Sequence, residues 1–424
     1  MIELSIIEEV LEEQKNELAL MAEDKFSPRT EESQIDIESK LAQVVIGVRR
    51  SGKSTMCYNA LKSAGVQFAY ADFDDDRFEG MTASDLNNVL LVLHKIYGDF
   101  KYLFLDEIQD VKDWHLFVGR LLRQRIHVVL TGSNAKMLSG ELATHLTGRS
   151  DETALYPFSF KEFATYKGVD VVSNTTKAKA FRLAAFDEYL NQGGFPELFS
   201  VKNHQRYIDS LVSKIINNDI IKRNKIKYKA TFESFAHHIL NNAPSKIVYT
   251  DLQELFKIKS DHTVVNYVDF MSKAYLIQMC KKYSPKSSLR VRDTKAYAVD
   301  VAFMNNRKDA LVGDNLGFRL ETIVYIELLR RNLPLGRNIF YYEDTSGEAD
   351  FVVCKGNTVE EIYQVSYDIA KQKTRDRELK GLTIASKATG CRNLTLITRL
   401  NTESFTTADG LDITIVPAAE WLVK

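Results

Sequence analysis

The stretch "QVVIGVRRSGKSTMCYNALK", Gln43 to Lys62, reads as a buried strand over Gln43 to Ile46, a loop, and a helix carrying Met56, Ala60 and Leu61 on one side. Within it Gly47 to Ser54 spells G-x-x-x-x-G-K-S. A glycine-permitted loop of this length wraps backbone N–H groups around phosphate oxygens, and the start of the following helix adds the positive end of its dipole. Arg49, Arg50, Ser51, Gly52 and Thr55 complete the cradle. Lys53 is placed to reach the β- and γ-phosphates of a nucleotide such as ATP, and Ser54 to ligate Mg²⁺. The strand before the loop and the helix after it set this stretch apart from a chance Gly-Lys-Ser turn, and together they predict a parallel α/β sheet.

Hydrolysis needs, besides a cradle, an acid to hold the metal ion and a group to orient water, both at the end of a neighbouring strand. "KYLFLDEIQD" supplies an apolar strand over Tyr102 to Leu105, ending in Asp106 for the metal and Glu107 for the water. The next strand, in "IHVVLTGSN", ends in Thr131, Ser133 and Asn134. Ligands of open parallel sheets bind at that carboxyl edge, and Asn134, with Ser133 second, is the candidate to contact the γ-phosphate or the water. Arg149 precedes a short strand over Thr153 to Leu155 and is a candidate arginine finger, acting within the subunit or on a neighbour. Another strand, Phe68 to Ala71, ends in an acidic run, Asp72 to Asp76, to which no catalytic role is assigned.

Composition bounds the rest. At 424 residues the chain is long for one core, and about 150 residues per domain suggests roughly three units. A net charge of −1 leaves no global positive field, so any contact with nucleic acid has to come from a local patch. The four cysteines, Cys57, Cys280, Cys354 and Cys391, are too scattered for a zinc site or a disulfide framework and fit a reducing compartment. The opening "MIELSIIEEVLEEQKNELAL" is acidic and helical, unlike a secretory signal, and no apolar run approaches the roughly 20 residues of a membrane span. A cytoplasmic protein with no membrane partner is expected.

These motifs, in this order, resemble a family of AAA-type stand-alone bacterial and archaeal ATPases. The family shows a G-x-R-R-x-G-K-S/T loop, an L-D-E-I-Q acid motif, a T-G-S sensor strand, an L-x-G-R turn and a P-F-S-F-x-E-F entry to a lid. They stand here at Gly47 to Thr55, Leu105 to Gln109, Thr131 to Asn134, Leu146 to Arg149 and Pro157 to Phe163, followed by the similar "YLNQGGFPELF" of Tyr189 to Phe199. The resemblance implies ATP and Mg²⁺, with Lys53, Ser54, Asp106, Glu107, one of Ser133 or Asn134, and Arg149 in the roles above. Which arginine acts as the finger stays open, and with it homo-oligomerisation.

Beyond the core, "AFRLAAFDEYLNQGGF" repeats apolar residues at three- and four-residue spacing up to a Gly-Gly break, as a lid helix would. "YIDSLVSKIINNDIIKRNKIKYK" continues as a helix with a basic end, Lys222, Arg223, Lys225, Lys227 and Lys229. Between Thr231 and Asn305 the order helix, short helix, helix, strand, turn, strand is that of a winged helix. Its third helix presents Asp261, His262 and Asn266, and its hairpin carries Lys281, Lys282, Lys286, Arg290, Arg292 and Lys295, candidates for phosphate contact. DNA and a protein are both candidate partners.

From Leu316 to Pro417 the order helix, three strands, helix, strand resembles the PD-(D/E)XK nuclease core. Cleavage in that fold uses a helix glutamate, a strand aspartate and an acid-x-Lys on the next strand. Glu321 and Asp350 fit the first two and Glu348 is a substitute for either, but Gln364 and Ser366 stand where the acid and the lysine belong. Gln364 still offers a carbonyl oxygen, and Ser366 brings no charge. Lys371 or Lys373 would have to swing in from the following helix. A vestigial site is therefore expected.

The expected architecture is a helical segment over 1–40, a P-loop AAA-type parallel α/β core over 41–158, a helical lid over 159–229, a winged helix over 230–306 and a restriction-endonuclease-like α/β domain, inactive for want of its lysine, over 307–424. The expected function is Mg²⁺-dependent ATP hydrolysis coupled to nucleic-acid or protein binding. The alternatives are an ATP-gated scaffold with negligible hydrolysis and an ATP-dependent DNA nuclease.

Overall fold

The computed structural model describes all residues except 1, 22–25, 134–145, 147, 285–292, 306 and 309–314. The chain divides into two compact units, Met1–Leu155 with Lys273–Tyr275, and Tyr156–Ser272 with Leu276–Lys424.

The first unit is a five-stranded parallel sheet. Its strands are β1 (Ala42–Ile46), β2 (Phe68–Asp72), β3 (Tyr102–Asp106), β4 (His127–Gly132) and β5 (Ser150–Ala154), in the order β2-β3-β4-β1-β5. β1 is buried at every residue, as a central strand covered on both faces must be. Around the sheet lie α1 (Leu4–Met21), α2 (Lys53–Ser63), α3 (Asp85–Tyr97) and α4 (Trp114–Arg123). On one face Val45, Phe104 and Val129 of the sheet meet Met56, Tyr58 and Leu61 of α2. The parallel register puts Asp72 beside Asp106 and Ile46 beside Gly132, so the polar ends of four strands gather at one edge. Gly47 is required there, because a Cβ would lie 2.0 Å from the Leu155 carbonyl oxygen as β5 pairs with β1.

The second unit begins with helices. These are α5 (Phe160–Tyr166), α6 (Thr176–Gln192), α7 (His204–Lys214), a π-helix over Ile215–Lys222, α8 (Lys229–Asn242), α9 (Tyr249–Leu255) and α10 (Asp261–Lys273). Ser159 caps α5 in a reciprocal box with Glu162. The continuous α-helix expected past Tyr207 instead widens into the π form at Ile215. Ile215, Ile216, Ile220 and Ile221 are buried there, and apolar pairs repeating every five residues suit an i to i+5 helix.

The Gly-Gly of "QGGFPE" is a close-packing site as well as a helix stop. A Cβ on Gly193 would lie 2.0 Å from Asp300 Oδ1 and one on Gly194 2.3 Å from the Phe158 carbonyl oxygen. The Gly194 N–H donates to Asp300 Oδ2 at 3.0 Å.

The sheet of this unit has nine strands, in the order β13-β14-β12-β11-β10-β9-β7-β8-β6. They are β6 (Ser245–Lys246), β7 (Ile277–Lys282), β8 (Thr294–Ala298), β9 (Arg337–Glu343), β10 (Glu348–Lys355), β11 (Thr358–Ser366), β12 (Leu394–Thr398), β13 (Glu403–Thr406) and β14 (Asp412–Pro417). β7 pairs in parallel with β9, so one sheet runs through the hairpin segment and the C-terminal segment on either side of residue 306. After α10 come α11 (Ala302–Asn305), α12 (Leu316–Asn332), α13 (Gln372–Thr389) and α14 (Ala418–Trp421). α13 packs on β10 and β11 through Leu382 and Ala385.

Candidate functional site

Lys53 opens α2 behind a left-handed Gly52, φ +93°, and its side chain is buried. Its Nζ lies 3.2 Å from Glu107 Oε1 and donates to the Val48 carbonyl at 3.4 Å. The loop is held from outside by two arginine contacts. Arg29 Nη1 donates to the Ser51 carbonyl at 2.8 Å, and Arg49 Nη1 pairs with Asp74 Oδ2 at 2.7 Å. Ser51 Oγ and Ser133 Oγ are buried hydroxyls with no hydrogen-bond partner among the described residues, the condition expected of groups that answer a ligand or water.

Asp106 ends β3 with its carboxylate buried. It accepts from the Ser54 and Thr131 hydroxyls, and from Tyr70 Oη at 3.3 Å. Burial, then the charge of Glu107, raises its pKa above the usual carboxylate range. Asp72, beside it in the sheet, is pushed up to about 8 by burial and then by the charge of Asp106. Gln14 of α1 clamps the end of β2, its side chain bonding both the N–H and the carbonyl of Asp72, at 3.0 and 2.8 Å.

Glu107, just past β3, has a left-handed backbone, φ +49°, which a residue other than glycine rarely adopts without constraint. The constraint is visible. Its N–H donates to Thr131 Oγ1 at 3.0 Å, while its Oε2 accepts from Gln109 Nε2 at 2.6 Å and from the Ser133 N–H at 3.1 Å. Burial pushes its pKa up, but the charges of Lys53 and Arg49 and the hydrogen bonds from Gln109 and Lys53 outweigh it, holding the carboxyl down at about 2. Glu107 is thus an ionised carboxylate tied to the lysine of the loop.

Gly47, Arg49, Arg50, Ser51, Gly52, Lys53, Ser54, Thr55, Ser133, Asp106 and Glu107 all lie at this one edge of the sheet. Asn134 lies outside the described residues. Arg149 is exposed, with its carbonyl accepting from the Ala42 N–H at 2.9 Å. Sequence reasoning misses Arg29 and Tyr70, gives Gln109 no role of its own within the acid motif, and assigns none to Asp74 in its acidic run. The register of β2 beside β3 is the feature that brings Tyr70 into reach, and no local pattern announces it.

A second polar cluster occupies an open pocket of about 640 Å³ in the other unit, lined in part by Glu321, Glu348, Asp350, Gln364, Glu378 and Lys295. Lys295, expected on an exposed wing, is instead 9% exposed. Its Nζ pairs with Glu348 Oε1 and lies 3.9 Å from Glu321 Oε1. β8 pairs with β7 in the same sheet as β10, and that sheet turns Lys295 inward. Tyr297 Oη donates to Glu321 Oε1 at 2.7 Å. Asp350 Oδ2 accepts from the Val365 N–H at 2.7 Å, and Gln364 Nε2 donates to Glu378 Oε2 at 2.7 Å. Burial, then the charge of Glu321, raises the pKa of Asp350 well above the usual range. Lys371 and Lys373 are exposed and do not line the pocket. Lys286, Arg290 and Arg292 lie outside the described residues, and Lys282 is 3.7 Å from Glu343.

A phosphate-binding loop, a strand-end acid pair and a parallel sheet of order 2-3-4-1-5 define a P-loop protein of the AAA type. The family described as an AAA domain matches residues 39–164, and a domain of unknown function (DUF8612) matches residues 183–311. An uncharacterized protein of Methanocaldococcus jannaschii is 31% identical over 404 residues, covering 91% of this chain and 90% of that one. An uncharacterized protein of Haemophilus influenzae is 30% identical, covering 78% and 84%. The chain belongs to the same family as these relatives, the AAA-type P-loop ATPases. Among solved structures it is similar to AMPPCP-bound DnaA from Aquifex aeolicus, at 13% identity, TM-score 0.28, covering 55% of this chain and 82% of that one. It is also similar to the RuvB Holliday junction branch migration motor of Thermotoga maritima, at 14% identity, TM-score 0.28, covering 63% and 88%. Likenesses this distant carry no function. Among the described residues no helix is long and apolar enough to cross a membrane.

Proposed function

We propose that this protein is a Mg²⁺-dependent ATPase whose nucleotide state controls binding of nucleic acid or a partner protein by its second unit. The observation that carries the reading is the Lys53–Glu107 contact of 3.2 Å at the edge of the sheet, beside Asp106 and Ser54. A lysine and an ionised acid held together are the two groups that ATP hydrolysis must separate, one to the phosphate and one to the water.

The residues present fit Mg²⁺. Ser54 and Asp106 offer a hydroxyl and a carboxylate already in contact, and Mg²⁺ in nucleotide sites takes one or two such protein oxygens along with phosphates and water. When bound, the ion supplies charge neutralisation at the β- and γ-phosphates. The chain's own residues do the remaining work. Backbone N–H groups of the loop bind the phosphates, and Lys53 moves from Glu107 to the β- and γ-oxygens. Glu107, released by Lys53 but still oriented by Gln109 and the Ser133 N–H, accepts a hydrogen bond from the attacking water and takes its proton as the water oxygen bonds to the γ-phosphorus and the bridging oxygen leaves with ADP. Arg149 is the finger in this reading, and its exposure suits action on a neighbouring subunit.

The coupling to a partner is supported by surface chemistry. Asp261, His262 and Asn266 on α10 are exposed, as are Lys222, Lys225, Lys227 and Lys229 beyond α7. Helix and hairpin from α8 to β8 follow winged-helix order, and α12 with β9 to β12 and α13 follow the order of a nuclease-like core. We assign these a binding role.

Steady-state phosphate release, measured with and without single-stranded, duplex and branched DNA, tests the whole reading. Glu107→Gln is expected to lower the rate by about 10²- to 10⁴-fold with nucleotide binding kept, and Lys53→Ala to abolish binding. Normal hydrolysis by Glu107→Gln overturns the assignment.

A further inference from the structure

The pocket bounded by α12, β8, β10, β11 and α13 brings four carboxylates to one place, and Lys246, Lys295, Arg377 and Lys380 line it with them. Glu321 comes from α12, Glu348 and Asp350 from β10, and Glu378 from α13. Gly381 allows the close approach of α13, since a Cβ there would lie 2.2 Å from the Glu348 carbonyl oxygen and 3.4 Å from Gln364 Oε1. Burying like charges this way is strongly unfavourable unless each acid is hydrogen-bonded and a cation sits among them.

Two cations meet them. Arg377 binds Glu378 from the solvent side, its Nε 3.1 Å from Oε1. Lys295 sits inside. It bonds Glu348, lies 3.9 Å from Glu321 and stands over the Tyr341 ring at 5.0 Å, which shields its other side. Some of the other carboxylate oxygens are committed. Tyr297 takes Glu321 Oε1, the Val365 N–H takes Asp350 Oδ2, and Gln364 and Arg377 take the two oxygens of Glu378. Among the described residues no three acids, histidines or cysteines converge closely enough to hold a metal ion.

We propose that Lys295 is a resident cation of this site: its ammonium stands between Glu321 and Glu348, beside Asp350, in the place a divalent metal ion would take, and the wild-type pocket takes no metal. An ammonium with three donors can bridge two carboxylates, but it carries half the charge of Mg²⁺ and activates no water. Phosphodiester cleavage by a metal-activated water is then closed to the native chain, and the pocket is left to recognise rather than cut. That last consequence rests on the binding role assigned to the second unit, whereas the cation exchange itself does not.

The test is Mn²⁺ binding by the full-length, nucleotide-free chain, followed by electron paramagnetic resonance and by calorimetric titration. Four proteins are compared: wild type, Asp350→Asn, Lys295→Met and Lys295→Met with Asp350→Asn. Methionine keeps the length of the stem and its contact with Tyr341 while removing the charge. Lys295→Met, which leaves the carboxylates without their ammonium and free to close on a metal ion, is expected to gain one Mn²⁺ site per chain, at least tenfold tighter than any shown by wild type, and to lose it when Asp350→Asn is added. Any Mn²⁺ held at the phosphate loop is common to all four and cancels in the comparison. Failure of Lys295→Met to gain a site overturns the proposal, as does Mn²⁺ binding by wild type that Asp350→Asn removes. If Lys295→Met does not fold, wild type against Asp350→Asn decides it, equal Mn²⁺ binding supporting the proposal and a loss in Asp350→Asn refuting it. Phosphate release is read in parallel on wild type and Asp350→Asn, so a failed ATPase assignment shows separately from a failed cation assignment.

Discussion

Replacing Lys53 with methionine removes the nearest positive charge from Glu107 while leaving the carboxylate buried. In the native protein the Glu107 carboxyl is held at about 2, against 4.5 for a free glutamate, which amounts to about 3 kcal/mol in favour of the ionised folded state. Arg49 and Gln109 also lower this pKa and survive the substitution, as does the burial that opposes them, so the loss on removing Lys53 is on the order of 2 kcal/mol. Lys53→Met is therefore expected to unfold its unit at lower denaturant, with a cost of about 2 kcal/mol in the nucleotide-free protein at pH 7. Lys53→Met with Glu107→Gln should recover most of it, since the amide needs no counter-charge. Because the folded pKa of Glu107 is depressed, its contribution is fully present above about 4.5, the unfolded value, and is lost as pH falls towards about 2. The deficit should then be flat from pH 8 to 5. Urea titrations of the four proteins of the cycle measure it, and a coupling below about 0.5 kcal/mol, or a deficit that already fades by pH 6, would refute the reasoning.

Other consequences are open to the same kind of measurement. Asp74→Asn loosens Arg49, but the Asp74 side chain is 39% exposed, so the pair is worth at most about 1 kcal/mol; KM for ATP should rise no more than about fivefold with kcat nearly unchanged. Gly194→Ala forces a methyl group to 2.3 Å from the Phe158 carbonyl, and overpacking of this kind should cost about 1–3 kcal/mol in the stability of the second unit, read by thermal unfolding. Arg182 is fully buried and bonds both oxygens of Glu420 at 3.0 and 2.8 Å, so Glu420→Ala leaves a guanidinium without its carboxylate and should cost about 3 kcal/mol, measured in urea.

The phosphate loop could be read from the sequence because its requirements are local. Gly47, Gly52, Lys53 and Ser54 must follow one another for a strand to turn into a helix around phosphate, and the acid pair Asp106 and Glu107 must end an apolar strand. The partners that tune these groups could not be read the same way. Arg29, Asp74 and Tyr70 reach the site through strand order and register, which no spacing along the chain encodes.

Lys295 shows the difference most plainly. On one strand of a hairpin it reads as one of six basic residues suited to phosphate. The pairing of β7 with β9 brings that hairpin into the same sheet as β10, and Lys295 turns to Glu348 and Glu321. The sequence by itself determined the nucleotide loop, the acids at the strand ends and the absence of an acid-x-Lys at Gln364 and Ser366, all properties of neighbours in the chain. Only the tertiary structure decided that the cation among these carboxylates comes from β8, some seventy residues before Gln364, because electrostatic compensation of a buried carboxylate depends on distance in space and is indifferent to the path of the chain.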